Sequence, residues 1–100
     1  MLVPMPYKDH LLELRSQILA AAAESGARHV RVFGSVARGD DDGRSDVDFL
    51  VSLDAGRTLL DLARLELRLE QLLGRRVDVV TAGSLREPIR STALREALRV

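Results

Sequence analysis

Two short apolar runs that each carry carboxylates, Asp46-Val47-Asp48-Phe49-Leu50-Val51 and Val77-Asp78-Val79-Val80, lie on either side of the leucine-rich segment Leu59–Leu73 and constrain this chain more than any other feature. β-Branched and aromatic residues dominate both runs, which predicts strands, whereas the apolar residues between them recur at helical spacing. Alternate residues of a strand share a face, so Asp46 and Asp48 stand side by side and repel each other unless a cation lies between them. A divalent metal is the simplest such cation, because hard cations take oxygen ligands and are commonly held by one or two carboxylates plus substrate phosphates. If the two strands are neighbours, Asp78 joins the pair on the same face and completes a three-carboxylate cluster with a gap for phosphate oxygens. A lone Asp-x-Asp is usually solvated surface charge. Here Val47, Phe49, Leu50 and Val51 make the first strand otherwise apolar, Asp78 is embedded among valines, and Gly34-Ser35 precedes at loop distance.

The chain has 100 residues, enough for one compact domain over 1–100 near the lower limit for a self-sufficient core. Its 15 basic residues are matched by 15 acidic ones, so there is no basic surplus for direct nucleic-acid binding. Cysteine is absent, which excludes disulfides and thiolate metal sites. No apolar run is long enough to span a bilayer, and the start of the chain lacks the pattern of a signal peptide. The expectation is a cytoplasmic protein with no membrane contact.

Helical spacing of Leu11, Leu12, Leu14, Ile18, Leu19 and Ala22 predicts a helix over Leu11–Ala23, stopped by Glu24-Ser25-Gly26. His29–Phe33 alternates as a strand, with Val30 and Val32 on one side and His29, Arg31 and Phe33 on the other. Ser35–Arg38 has room for one helical turn, followed by a polar loop from Gly39 to Gly43. Asp46–Leu53 is the second strand. Leu59, Leu62, Leu65, Leu69, Leu72 and Leu73 form the stripe of the long helix, which Gly74 caps. Leu60 and Leu67 fall outside it and either widen the core-facing stripe or face a partner. Arg76–Thr81 is the third strand, and Ser84–Val100 a last helix with Pro88 near its first turn. The fold class is α+β: a small mixed sheet of three to four strands, helices packed on one face and the carboxylates on the open face. A fourth strand would come from Leu85 or from Leu2–Met5.

Gly34 and Ser35 stand where a strand gives way to a short helix. Glycine there lets the backbone approach a phosphate closely, the first helical amides favour an anion, and Ser35 adds a hydroxyl donor. Arg38 has a supporting role toward phosphate or partner. Asp40, Asp41 and Asp42 read as ordinary loop residues and stay outside the site. His10 and His29 are too isolated to form a ligand set, Ser45 can orient the Asp46 carboxylate, and Tyr7 has no discernible role.

The run Gly34-Ser35-Val36-Ala37-Arg38-Gly39, with Ser45-Asp46-Val47-Asp48-Phe49-Leu50-Val51 and Val77-Asp78-Val79-Val80, closely resembles the minimal nucleotidyltransferases of the DNA polymerase β superfamily. The resemblance covers about Val30 to Ile89. It implies that Gly34 and Ser35, aided by Arg38, hold the nucleotide triphosphate, that Asp46 and Asp48 bind two Mg2+ ions, and that Asp78 helps ligate the ion activating the attacking hydroxyl. The chain has no room for an acceptor-binding domain, so the acceptor comes from elsewhere. Free-standing domains of this size resemble the MNT antitoxins encoded beside HEPN ribonuclease toxins, which transfer AMP from ATP to a toxin tyrosine. The resemblance thus implies a protein adenylyltransferase antitoxin using Mg-ATP, with a HEPN-type toxin as substrate and partner. Two alternatives stand beside it: an antitoxin acting by binding alone with an idle nucleotide site, and a small-molecule nucleotidyltransferase working as a dimer.

Overall fold

The computed structural model describes residues 6–100. Its elements in chain order are α1 (Tyr7–Glu13), α2 (Arg15–Glu24), β1 (Ala27–Phe33), α3 (Gly34–Arg38), β2 (Val47–Leu53), α4 (Leu59–Leu73), β3 (Val77–Val80), a 3₁₀ turn (Ala82–Ser84), α5 (Ile89–Glu96) and β4 (Leu98–Arg99). The strands form one mixed sheet in the order β3-β2-β1-β4. β2 and β3 are parallel, joined through α4, and both neighbours of β1 run antiparallel to it. No helix among the described residues is long and apolar enough to cross a membrane.

The core lies on one sheet face. Val30 and Val32 of β1, Val47, Phe49 and Val51 of β2, and Val77 and Val79 of β3 pack against Leu11 of α1, Ile18 and Ala22 of α2, and Leu62, Leu65 and Leu69 of α4. α4 starts at a capping box: Thr58 Oγ1 accepts from the Leu60 amide at 3.2 Å and the Asp61 carboxylate accepts from the Thr58 amide at 2.9 Å. Gly74, at φ 68°, ends it in the left-handed conformation that a helix stop favours.

Several expectations need correction. The predicted first helix is two, Tyr7–Glu13 and Arg15–Glu24, because the chain leaves helical geometry at Leu14 (φ −95°, ψ 9°). β1 begins at Ala27 and contains a bulge between Arg28 and Arg31, with His29 at φ 53°. That extra residue resets the alternation, which is why Ala27, Val30 and Val32 are all buried. The fourth strand is neither of the expected segments. Leu85 follows the 3₁₀ turn in no strand, Leu2–Met5 lies outside the described residues, and Leu98–Arg99 pairs with β1 instead. The last helix is accordingly only Ile89–Glu96, since an extended Ala97 turns the chain back to the edge of β1. Leu59, predicted in the core stripe, is 77% exposed; Leu60 and Leu67 are exposed with it.

Candidate active site

Parallel pairing of β2 with β3 sets Asp48 directly beside Asp78, with Val47 beside Val77 and Phe49 beside Val79. The valines and Phe49 point into the core, so the two aspartates must project from the opposite face. Asp46 precedes β2 rather than lying within it, and the Val47 amide donates to the Arg76 carbonyl at 3.0 Å. Across the other side of β2, Phe33 at the end of β1 is the register partner of Asp48. The next residue, Gly34, therefore arrives at the Asp48 carboxylate.

Gly34 has φ 76°, and a Cβ placed on it would lie 2.5 Å from Asp48 Oδ2. The left-handed backbone and the close approach both demand glycine here. α3 begins at Gly34 itself, with Ser35 as its second residue, and its first amides have no acceptor within the helix. Ser35 holds the turn through its carbonyl, which accepts from the Gly39 and Asp40 amides at 3.0 and 3.1 Å.

The carboxylates concentrate negative charge. Asp48 is pushed up to about 6, first by burial and then by Asp78 and Asp46, with Arg38 opposing. Glu66 of α4 reaches the same place: burial raises its pKa, and its carboxyl contacts Asp78 while accepting from the Val79 amide at 2.8 Å. Arg76 Nε pairs with Asp46 at 3.2 Å. Arg38 is held by Asp40 and Glu96, both at 3.1 Å, beside a cavity of ≈220 Å³ whose lining includes Phe33, Gly34, Ile89 and Thr92. Among the described residues no three acidic or imidazole side chains converge closely enough to hold a metal as they stand. The donor set nevertheless suits a hard divalent cation, because oxygen ligands carrying uncompensated, partly desolvated charge are what such an ion takes.

Residues that sequence reasoning passed over brace this site. Arg75 makes a bidentate pair with Asp41 at 2.7 and 3.0 Å, donates to the Ser45 carbonyl, and lies 4.3 Å above the centre of the Tyr7 ring. Its side chain is 13% exposed and that of Asp41 10%. Asp41 is therefore no ordinary loop residue, and Tyr7 has a role in stacking. Glu66 and Glu70, one helical turn apart, accept from the Val79 and Val77 amides. Their i, i+4 spacing beside Leu65 and Leu69 was the available signal.

Residues 15–100 match the sequence profile described as nucleotidyltransferase domain. The chain belongs to that family. It is 43% identical over 91 residues to the protein adenylyltransferase MntA of Thermococcus cleftensis, covering 91% of this chain and 85% of the relative. It is 38% identical over 88 residues to a Methanocaldococcus jannaschii chain assigned as a protein adenylyltransferase, covering 88% and 95%. A solved structure assigned to a minimal nucleotidyltransferase superposes with a TM-score of 0.81 at 50% identity, covering 92% of this chain and 94% of that one. A toxin–antitoxin crystal structure with AMP-PNP shares the fold, with a TM-score of 0.71 at 19% identity, over 84% of this chain and 69% of that one. The protein is a nucleotidyltransferase, and its mixed four-stranded sheet is that of the polymerase β-like minimal members.

Proposed function

We propose that this nucleotidyltransferase is an antitoxin that transfers AMP from Mg-ATP to a tyrosine of a cognate HEPN ribonuclease toxin in the cytoplasm. The observation that carries the reading is the convergence of Gly34 on Asp48, with Asp78 alongside, which sets a glycine turn directly against a carboxylate pair. The relatives named protein adenylyltransferase support protein as the acceptor.

In this reading Gly34, Ser35 and the first amides of α3 receive the triphosphate, and Arg38 supplies positive charge beside it. Asp46, Asp48 and Asp78 would hold two Mg2+ ions, which when bound neutralise phosphate charge and activate the attacking hydroxyl. The phenol oxygen bonds to the α-phosphorus as its proton passes to solvent, the bond from the α-phosphorus to the α–β bridging oxygen breaks, and pyrophosphate leaves with that electron pair. The chain contributes placement of the α-phosphate and the carboxylate field, and the toxin contributes the nucleophile.

Intact-mass spectrometry of the protein with Mg-ATP and its co-expressed toxin tests this. The expected result is the mass of one AMP added to the toxin, lost with Asp48→Asn and with chelator. A complex that neutralises the toxin without any mass gain, and equally well with Asp48→Asn, would overturn the reading in favour of inhibition by binding. Label appearing on a small compound alone would instead indicate a small-molecule transferase.

A further inference from the structure

The carboxylate cluster has a counterpart of opposite sign on the other half of the sheet. Arg31 and Arg99 are register partners on the antiparallel β1–β4 pair, and like charges directly opposite each other on adjacent strands are destabilising. Among the described residues neither has a carboxylate in ion-pair range. Arg31 Nε is, in addition, buried without a hydrogen-bond partner. The buried N–H fixes the Arg31 side chain in place, and the two facing guanidiniums leave positive charge uncompensated, which favours an anion beside their terminal nitrogens.

The space for one is present. A cavity of ≈500 Å³ opens where the β1 bulge interrupts regular pairing, lined by Arg15, His29, Arg31, Ser52, Arg99 and Val100 among others, with no aspartate or glutamate side chain among the described residues on its wall. Arg15 Nε donates to the Val100 main-chain oxygen at 3.0 Å, which anchors that side chain at the rim. The cavity is distinct from the Gly34–Asp48 site: it shares no lining residue with the groove beside Arg38, whose wall includes Gly34.

We propose that this cavity binds a phosphorylated ligand of up to mononucleotide size, its phosphate held between Arg31 and Arg99 with Arg15 alongside. Guanidinium forks match phosphate oxygens bidentately, and three positive side chains favour a phosphate dianion over a single carboxylate. The volume falls in the range of about 300–1,000 Å³ typical of small-molecule pockets. The site does not depend on which acceptor the carboxylate centre serves.

The test is thermal denaturation and calorimetric titration with inorganic phosphate and with AMP, in chelator, so that no metal occupies the carboxylates. Both probes are expected to raise the melting temperature with concentration, in the wild type and in Asp48→Asn. The double variant Arg31→Gln/Arg99→Gln is expected to weaken binding at least about tenfold, as loss of one to two charge-assisted contacts implies. Arg99→Glu replaces the like-charge pair with an attractive one, so it should melt no lower than the wild type and lose the response to phosphate. AMP binding more tightly than phosphate would assign a nucleotide, and equal affinity would assign the phosphate group alone; either supports the site. No binding of either probe at millimolar concentration would overturn it. So would undiminished binding in both arginine variants, or binding that Ser35→Ala abolishes and the arginine variants leave intact.

Discussion

Asp48 and Asp78 are direct neighbours on two parallel strands, and burial first, then that proximity, raises the Asp48 pKa to about 6. A carboxyl whose folded pKa exceeds its unfolded value of 3.8 binds more protons in the folded state between the two. Stability therefore rises as pH falls from above 6 toward 4, and the penalty is fully present above 6. Asp48→Asn removes it. At pH 7.5 without metal the variant should be more stable than the wild type by on the order of 1 kcal/mol, an amount reduced by the solvent that still reaches the group. Urea denaturation of both proteins at pH 7.5 and 4.5 checks this, with the gap closing at the lower pH. Transfer activity of the variant should be lost while the fold remains.

Gly34 and Gly39 separate conformational cost from site geometry. Both have positive φ, 76° and 82°, but a Cβ on Gly34 meets Asp48 at 2.5 Å whereas one on Gly39 meets nothing within 4 Å. Each change to alanine should destabilise by about 1 kcal/mol through the left-handed backbone. Only Gly34→Ala should also displace the carboxylate, reducing kcat/KM by about a hundredfold or more, as a misplaced reacting group does. Similar activity losses in the two variants would show that backbone strain, not the approach to Asp48, matters.

The neighbouring Asp48 and Asp78 and the glycine turn were legible because their chemistry is local, through the apolar alternation around each aspartate and a glycine at a strand-to-helix junction. Asp46, by contrast, precedes β2, and alternation did not place it. What closes the sheet was not legible. Leu98–Arg99 is too short and too polar to announce a strand, and it pairs only because the edge of β1 offers unpaired backbone groups. The β1 bulge was hidden for a related reason, since His29 in left-handed geometry leaves no compositional trace. Asp41 and Arg75 lie far apart in sequence and only the fold joins them, so neither residue alone signalled a buried pair.

Arg75 and Asp41 should therefore behave as a unit. Arg75→Ala leaves a part-buried carboxylate unpaired and should cost about 1–3 kcal/mol, the usual penalty for an unsatisfied buried polar group. Arg75→Lys keeps the charge but loses the bidentate fork, the stacking on Tyr7 and one of the contacts to Asp41 or Ser45, so it should recover only part of that loss. Asp41 is held below the ordinary carboxylate range, first by the Arg75 hydrogen bond. Its contribution is present at neutral pH and disappears as pH falls through the depressed folded value, so Asp41→Asn should flatten the acid limb of the wild-type stability curve.

The exposed edge of β3 offers the last test. As an outer strand it would present the Val77 and Val79 amides to any strand that approached, yet Glu70 accepts from the first at 3.1 Å and Glu66 from the second at 2.8 Å. Two carboxylates one helical turn apart thus serve as a false neighbouring strand, and they hold β3, with Asp78 between the two bonded amides, in place beside β2. Glu66→Ala should accelerate hydrogen exchange at Val79 while leaving Val77 protected, and Glu70→Ala should do the reverse; each should cost about 1 kcal/mol. Because the Glu66 carboxyl also contacts Asp78, its loss should lower activity more than the loss of Glu70 does. Equal effects of the two variants on activity would mean that Glu66 serves the strand edge alone and contributes nothing to the carboxylate cluster.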